Sequence, residues 1–400
     1  MSYIPSTTFN TNQFSLDASA RVRTSQFITL GEYKEVLYKQ PLLYTGAGTG
    51  SYPGSGSPVE QQLMHVEAGQ WLVNQTKLHH PYFSGKSQVA EITCDTFAPQ
   101  NNVTKRYGYF DCLTDVTPFS ANLDGMWLES SNGTIKFCIY NNGNVVYESN
   151  INQWLGYESL ATYDWNKFTT IVMDFLWLGG AAARLFIKTE NGFVLADQYT
   201  HAGAASGVMF QTPAKPLRAE IYSQGGVGDF RPICGQVASE GSLNEMGYNR
   251  MVNSDIQSIS YSPPFVKRPL IAVRKSINYN NIPLRVNDLF LFSQTQDDKV
   301  YWTLEINPGL SGTELNWQNL SNSAIQYALG TDSDGVSANG TIIACGVLGY
   351  NQVIPTGVLK DSQLSWICSA IDGTSDVFVL TVTPLIGTST VIGGIGVKEF

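Results

Sequence analysis

The stretch of sequence that decides the fold runs from Asp164 to Tyr199 and reads DWNKFTTIVMDFLWLGGAAARLFIKTENGFVLADQY. Its apolar run, Ile171–Leu178, is too short for a typical helix, and its β-branched and aromatic residues favour a strand. Gly179-Gly180 and Asn191-Gly192 then indicate two tight turns, the second flanked by apolar residues. The sequence therefore predicts three consecutive antiparallel strands. The first is apolar on both faces, so we expect it at the centre of a β-sandwich.

One acidic residue inside this run, Asp174, determines the register that we expect for the first hairpin. An unpaired carboxylate buried in such a strand would cost several kcal/mol. A loop of Gly179 and Gly180 alone puts Asp174 and Arg184 on opposite faces, whereas a loop that includes Ala181 puts them diagonally on one face. We therefore predict the three-residue loop, a glycine at positive φ and a structural Asp174–Arg184 ion pair. The alternative is a solvent-facing Asp174 on a sheet covered on one side only.

The composition limits the class of protein. Of the 400 residues, 43% are hydrophobic, only 14% are charged and 37 are glycine. These values argue against a disordered chain or a coiled coil and favour a β-rich assembly protein. A net charge of −9 argues against a phosphate-binding surface, so we expect no nucleic-acid partner. The sequence has no apolar run long enough to span a membrane and no basic-then-apolar signal at its start, so we expect no membrane partner.

Clusters of Gly, Ser and Pro divide the chain into three segments. Residues 1–58 end in a Gly/Ser/Pro-rich stretch, and we expect an extended N-terminal arm and linker that docks on a neighbour. Residues 59–264 contain roughly ten strands at short spacing, with tight hairpins at Asn132-Gly133 and Asn142-Gly143, which is typical of a large jelly-roll-like antiparallel β-sandwich. Residues 265–400 follow a proline-rich connector and hold about seven strands, as in a smaller immunoglobulin-like sandwich. The predicted fold class is all-β.

Residues that could support catalysis or metal binding are few. The sequence contains no nucleophile elbow, no phosphate-binding glycine loop with Lys and no zinc-type His-Glu-x-x-His motif. Neighbouring side chains on a strand point to opposite faces, so we expect His79-His80 at a surface or interface rather than on a shared metal. Paired carboxylates for glycoside hydrolysis remain open, and Asp111, Glu129 and Asp174 are candidates only by default. We expect no enzymatic activity, no cofactor and no metal.

Two further residue types bear on location and binding. The six cysteines form no Cys-x-x-Cys pair, so we expect buried free thiols in a protein made in a reducing cytoplasm. Tyr248-Asn-Arg, Tyr279-Asn-Asn and Tyr350-Asn-Gln are expected in polar loops. Exposed tyrosines serve protein interfaces and sugar stacking, and we favour the interface.

An ordered series of motifs runs through most of the chain. It includes Lys105-Arg-Tyr-Gly-Tyr-Phe-Asp111, Gly125-Met-Trp-Leu-Glu129, Asp164-Trp-Asn166, Leu217-Arg-Ala-Glu-Ile221, Ile233-Cys-Gly-Gln-Val-Ala-Ser-Glu-Gly241 and the ending Ser389–Lys398. This series resembles a family of virion structural proteins of tailed bacteriophages. The resemblance covers about residues 59 to 400. It departs at the central hairpin, where the family has Gly-Val-Gly-Arg-Val-Arg and this chain has Gly179-Gly-Ala-Ala-Ala-Arg184.

This resemblance implies a virion component that is made in the cytoplasm of the host bacterium and acts as a capsid decoration, fibre or tail accessory protein. Its expected partners are other virion proteins and copies of itself, with a trimer favoured. The alternative is a receptor-recognition protein that binds or cleaves carbohydrate on the host surface.

Overall fold

The computed structural model describes residues 17–18, 26–34, 42–53, 63–112, 122–177, 182–203, 207–241, 247–254, 259–262, 264–294, 299–311, 315–349, 359 and 363–400. The predicted all-β class is confirmed, because strands dominate the described residues and every pairing between named strands is antiparallel. The chain divides into two compact units, Met1–Met246 and Gly247–Phe400.

The first unit is a jelly-roll-like sandwich of two seven-stranded sheets. Its strands are β1 (Phe27–Lys34), β2 (Tyr44–Gly48), β3 (Met64–Val66), β4 (Trp71–Thr76), β5 (Gln88–Asp95), β6 (Val103–Cys112), β7 (Leu123–Ser131), β8 (Thr134–Asn141), β9 (Asn144–Asn150), β10 (Thr169–Phe175), β11 (Ala182–Thr189), β12 (Gly192–Thr200), β13 (Leu217–Ser223) and β14 (Gly228–Glu240). A 3-10 turn (Ile151–Gln153) and one short helix, α1 (Tyr157–Leu160), connect β9 to β10. One sheet has the order β1-β14-β5-β10-β11-β12, with β3 also on β14, and the other has β2-β4-β13-β6-β7-β8-β9.

The stretch from Asp164 to Tyr199 folds into the three consecutive strands β10, β11 and β12, as predicted. Strand β10 lies between β5 and β11, and most of its residues are buried. Aromatic side chains pack across the sandwich: the ring centroids of Tyr109 and Phe175 are 5.2 Å apart, and those of Tyr107 and Phe230 are 5.8 Å apart. The core of the unit lies between the two sheets.

The register of the first hairpin differs from the prediction, although its ion pair is present. Asp174 lies directly opposite Arg184, two residues away from the predicted diagonal register. Side chains alternate with a period of two along a strand, so a two-residue shift keeps both groups on one face. Gly179, Gly180 and Ala181 lie outside the described residues.

The three Asn-Gly turns are not equivalent. Asn132-Gly133 (φ 47° and 78°) and Asn142-Gly143 (φ 47° and 80°) have the positive φ at both central positions that a type I′ turn requires. At Asn191-Gly192 the turn falls one residue earlier, because Thr189 pairs with Gly192 and leaves Glu190 and Asn191 in the loop. Gly192 has φ 122° and Asn191 does not have positive φ, so the expected type I′ geometry is wrong there. The Thr189 hydroxyl, which donates to the Gly192 carbonyl at 2.9 Å, closes this turn.

The predicted N-terminal arm, residues 1–58, is corrected in its described parts. Strand β1 pairs with β14 and strand β2 pairs with β4, so this segment supplies an edge strand to each sheet of the first unit. The glycines in β2 do not form a flexible linker but allow β2 to pack closely on β4. A Cβ on Gly46 would lie 2.9 Å from the Val73 carbonyl oxygen, and one on Gly48 would lie 2.3 Å from that of Trp71.

The second unit is a smaller sandwich of a five-stranded and a six-stranded sheet, with a two-stranded hairpin. Its strands are β15 (Tyr248–Asn253), β16 (Ile259–Tyr261), β17 (Arg268–Lys275), β18 (Leu284–Ser293), β19 (Val300–Ile306), β20 (Gly309–Ser311), β21 (Gln318–Asn319), β22 (Ile325–Leu329), β23 (Gly335–Ala338), β24 (Thr341–Leu348), β25 (Trp366–Ile367), β26 (Val377–Pro384) and β27 (Ser389–Glu399). Two 3-10 turns lie at Ile277–Tyr279 and Gln363–Ser365. The sheets have the orders β15-β27-β18-β25, with β16 on β27, and β21-β22-β17-β26-β19-β24. This unit has more strands than the seven that we predicted.

The predicted domain boundary after residue 264 is too late. Strands β15 and β16 both pair with β27, so the second unit begins at Gly247. Pro264 lies in a turn within that unit rather than at its start. The pairing partner of β15 lies more than a hundred residues away in sequence, and no local pattern reveals it.

Candidate functional site

The candidate carboxylate Asp111 belongs to an ionic cluster buried inside the first unit. The Lys215 ammonium group lies 2.7 Å from Asp111 Oδ1 and 2.5 Å from Asp124 Oδ2, and it donates to the Thr212 hydroxyl at 2.6 Å. Asp124 also accepts backbone N–H groups of neighbouring loops. Burial raises the pKa of the Asp111 carboxyl, but the charge of Lys215 and the hydrogen bond from His79 outweigh it and hold that pKa below its usual value. The cluster therefore keeps the Asp111 carboxylate ionised beside Lys215.

The histidine pair lies inside the first unit, not at the surface or interface that we expected. His79 Nε2 is 3.5 Å from Asp111 Oδ2, whereas His80 has different partners. His80 Nδ1 donates to the Lys215 carbonyl at 2.7 Å, and the Tyr33 hydroxyl lies 2.8 Å from His80 Nε2. Burial lowers the pKa of His80 to about 3. The imidazole is thus neutral at physiological pH and fastens strand β1 to the core.

The second candidate, Asp174, is buried and engaged on both carboxylate oxygens. Arg184 pairs with Oδ2 and the Ser87 hydroxyl donates to Oδ1. The Arg184 guanidinium also lies over the Phe186 ring, 5.4 Å from its centroid. This arrangement secures adjacent strands of one sheet, as expected of a structural ion pair.

The third candidate, Glu129, belongs to β7, in the sheet that does not contain Asp174. It lies on the face of that sheet that points away from the core. Arg106 Nε is 2.8 Å from Glu129 Oε2, and Arg106 Nη1 is 3.4 Å from Glu220 Oε2. Arg218 in turn donates to Glu220 Oε1 at 2.7 Å and to Gln75 Oε1 at 3.0 Å. The acidic groups on this face alternate with arginines, so each carboxylate is bound by a cation.

The structure therefore does not unite Asp111, Glu129 and Asp174. Asp111 and Glu129 lie at different positions along β6 and β7, and Asp174 belongs to the opposing sheet. A glycosidase uses two carboxyl groups flanking one bond, about 5 to 10 Å apart. Each of these three carboxylates is instead held by a basic side chain of its own surroundings.

A concave site lies in the second unit, where Tyr248 and Tyr279 are among the residues that line a cavity of about 630 Å³. The Tyr248 side chain is 74% exposed and that of Tyr279 is 47% exposed. Amide and hydroxyl residues, including Asn278, Asn319 and Ser321, also line the cavity. We refer to this site as the tyrosine pocket.

Main-chain and side-chain hydrogen bonds fix the walls of the tyrosine pocket. Glu399 at the end of β27 accepts from the Ala324 N–H at 2.9 Å and from the Ser323 hydroxyl, which holds the β21–β22 loop. Arg250 Nη2 donates to the Asn322 carbonyl of that loop at 3.1 Å, and its Nε lies 3.7 Å from Glu399 Oε2. The loop is thereby bound to both β15 and β27.

A buried lysine, Lys275, stabilises the turn that carries Tyr279. The Tyr279 N–H donates to the Ser276 carbonyl at 2.9 Å, and the Lys275 ammonium donates to the Asn280 carbonyl at 3.1 Å. Burial lowers the pKa of Lys275 to about 8. Tyr279 therefore lies on a turn that these hydrogen bonds hold in place.

Two of the three tyrosine motifs from the sequence thus meet at one site. Tyr248 begins strand β15 instead of lying in a loop, and Tyr279 ends a 3-10 turn. Tyr350 lies outside the described residues. Cys345, which we expected to be buried, is exposed on β24, whereas Cys94 and Cys138 are buried and burial raises the pKa of both thiols.

The described residues form neither a metal-binding cluster nor a membrane-spanning helix. Within those ranges, no group of three or more His, Cys, Asp and Glu side chains is placed to hold a metal ion. None of the helices described there has the length and apolar character needed to cross a membrane.

Comparison with known proteins finds similarity in structure only. No protein-family model and no curated protein matches the chain. The Emp47p carbohydrate recognition domain is 10% identical, with a TM-score of 0.36 over 54% of this chain and 97% of that one. The metal-free VIP36 exoplasmic/lumenal domain is 9% identical, with a TM-score of 0.35 over 55% of this chain and 100% of that one. The Bacillus licheniformis β-glucanase is 14% identical, with a TM-score of 0.31 over 52% of this chain and 97% of that one. TM-scores this low carry no argument about the activity of this chain.

Sequence reasoning missed Lys215, Arg106 and Glu399, the residues that organise these sites. Lys215 lies 104 residues from Asp111, and Ser323 lies 76 residues from Glu399. The one available signal was an acidic or basic residue inside an otherwise apolar strand, as with Asp174. Such a residue indicates that a partner exists without identifying it.

Proposed function

We propose that this chain is a non-enzymatic structural component of a tailed-bacteriophage virion that acts through contacts with other virion proteins and with copies of itself. The series of motifs described above supports the virion role. The structure adds support for the absence of catalysis, since the candidate carboxylates are each bound by a lysine or an arginine. In this role the protein serves as a capsid decoration, fibre or tail accessory protein.

The observation that carries the contact role is strand β24, at the edge of its sheet. Its sequence, Thr341–Leu348, contains no charged residue, and among the described strands its one sheet partner is β19. The Val347 side chain is 57% exposed and that of Ile342 is 44% exposed. Soluble proteins usually protect edge strands with charges or prolines, so an uncharged apolar edge favours a protein-binding surface.

Incorporation into particles tests this function. We expect the wild-type chain to co-purify with phage particles through a density gradient at a fixed ratio to the major capsid protein. Val347→Lys should lower that ratio severalfold, because a charge on this edge opposes docking. Val145→Lys is the matched control, since Val145 is equally exposed on an edge strand of the first unit. Loss of the wild-type chain from washed particles would contradict the proposal.

A further inference from the structure

We propose that the tyrosine pocket binds a neutral sugar residue. This inference goes beyond the structural role, and it concerns a site in the second unit that the candidate carboxylates do not share. The cavity of about 630 Å³ lies within the range of roughly 300 to 1,000 Å³ that small-molecule sites occupy. It therefore has room for a small ligand or for one end of a longer one.

The charge of the pocket selects an uncharged ligand. Among the described residues that line the pocket, Glu399 is the one with a charged side chain. Its carboxylate accepts from Ala324 and Ser323 and faces Arg250, so its charge is compensated within the wall. An ionic ligand would lose hydration without meeting an uncompensated opposite charge. A phosphorylated or sulfated ligand is the least suited, because such groups bind arginine or lysine clusters.

The surface chemistry of the pocket matches a polyhydroxylated ring. Tyr248 and Tyr279 are exposed aromatic residues with polar tips, which suit a partner that is apolar on one face and polar at its edge. Asn278, Asn319 and Ser321 provide both donors and acceptors, as the hydroxyl groups of a sugar require. Apolar residues of the same lining suit the C–H face of a sugar ring.

The walls are already fixed before a ligand arrives. The hydrogen bonds to Glu399, Asn322 and Asn280 hold the β21–β22 loop and the turn at Ile277–Tyr279 in place. A rigid site loses little conformational entropy on binding. Weak sugar contacts can then yield measurable affinity.

Ligand-observed saturation-transfer NMR on the full chain tests the proposal. The probes are the methyl glycosides of glucose, galactose, mannose and N-acetylglucosamine, with methyl glucuronide as the charged comparison. We expect saturation transfer to at least one neutral probe and weaker transfer to the glucuronide. Tyr248→Ala and Tyr279→Ala should each weaken binding about tenfold, the loss expected for one stacked ring.

The controls make each outcome decisive. Tyr52→Ala removes a comparably exposed tyrosine, 39% exposed, from the first unit and should leave binding unchanged. Unchanged thermal unfolding of the two pocket variants shows that any loss of binding is local. Absence of transfer to all four neutral probes at tens of millimolar would overturn the proposal, as would binding that neither pocket variant weakens. A short peptide that binds in a Tyr248-dependent way where no sugar does would assign the pocket to a protein partner instead. This binding assay does not depend on incorporation into particles, so the sugar site and the virion role can fail separately.

Discussion

Replacing Tyr33 by alanine tests whether strand β1 is part of the first sandwich or a detachable arm. The Tyr33 ring is buried and packs edge-on against His80 and Tyr44, with centroids 5.5 and 5.8 Å away. Its hydroxyl lies 2.8 Å from His80 Nε2. Removal of a buried aromatic side chain costs about 3 to 5 kcal/mol. The unpaired imidazole nitrogen adds roughly 1 kcal/mol.

Two further variants divide this free energy into its parts. Tyr33→Phe keeps the ring and removes the hydroxyl, so it should cost about 1 kcal/mol. Phe27→Ala changes a 39% exposed ring on the same strand and should cost at most about 1 kcal/mol. Hydrogen exchange measured by mass spectrometry is the suitable assay, since peptides from β5, β10 and β14 report the opening free energy of the first unit alone.

The outcome that refutes this reasoning is specific. If Tyr33→Ala lowered the opening free energy of β14 and β5 by less than about 1 kcal/mol, no more than Phe27→Ala does, β1 would not contribute to the sandwich. The deletion of residues 1–57 follows the same logic. If the observed pairing holds, the truncated chain loses an edge strand from each sheet and should be destabilised as a free protein, before any particle is present.

Three other perturbations address the buried polar groups. Asp174→Asn leaves the Arg184 charge without its partner and should lower the free energy of unfolding by roughly 1 to 3 kcal/mol in urea titration; a loss under about 0.5 kcal/mol would contradict its burial. Lys215→Met leaves two buried carboxylates uncompensated and should cost about 3 to 5 kcal/mol at neutral pH, and an unchanged urea midpoint would show that the cluster is dispensable. Burial lowers the pKa of His80 from 6.5 to about 3, so its contribution to stability is complete above pH 6.5 and should fall by roughly 3 kcal/mol by about pH 4.5; equal pH slopes in wild type and His80→Gln would refute this.

Much of the first unit could be predicted because its signals are local. The apolar run that became β10 and the turns at Asn132-Gly133 and Asn142-Gly143 depend on residues adjacent in sequence. Strands β1 and β2 could not be recognised in the same way. Their partners β14 and β4 come later in the chain, and the glycines of β2 resemble a linker in sequence although they permit close strand packing.

The sites were less predictable than the strands. The position of Asp174 in an apolar strand required a partner, and Arg184 is the first basic residue of the following strand. The tyrosine pocket combines the start of β15, the turn at Ile277–Tyr279, the β21–β22 loop and the end of β27. Only the fold brings these four segments together. The tyrosines could therefore be recognised in the sequence, but their common site could not be predicted from it.

Reconstruction of the phage particle by electron cryomicroscopy tests the central proposal most directly. The account predicts density at a repeated position of the virion that fits the two sandwiches as separate bodies, with strand β24 against another virion protein or another copy of this chain. A complete particle reconstruction with no density matching either sandwich, from a preparation in which the chain remains soluble in the lysate, would contradict it.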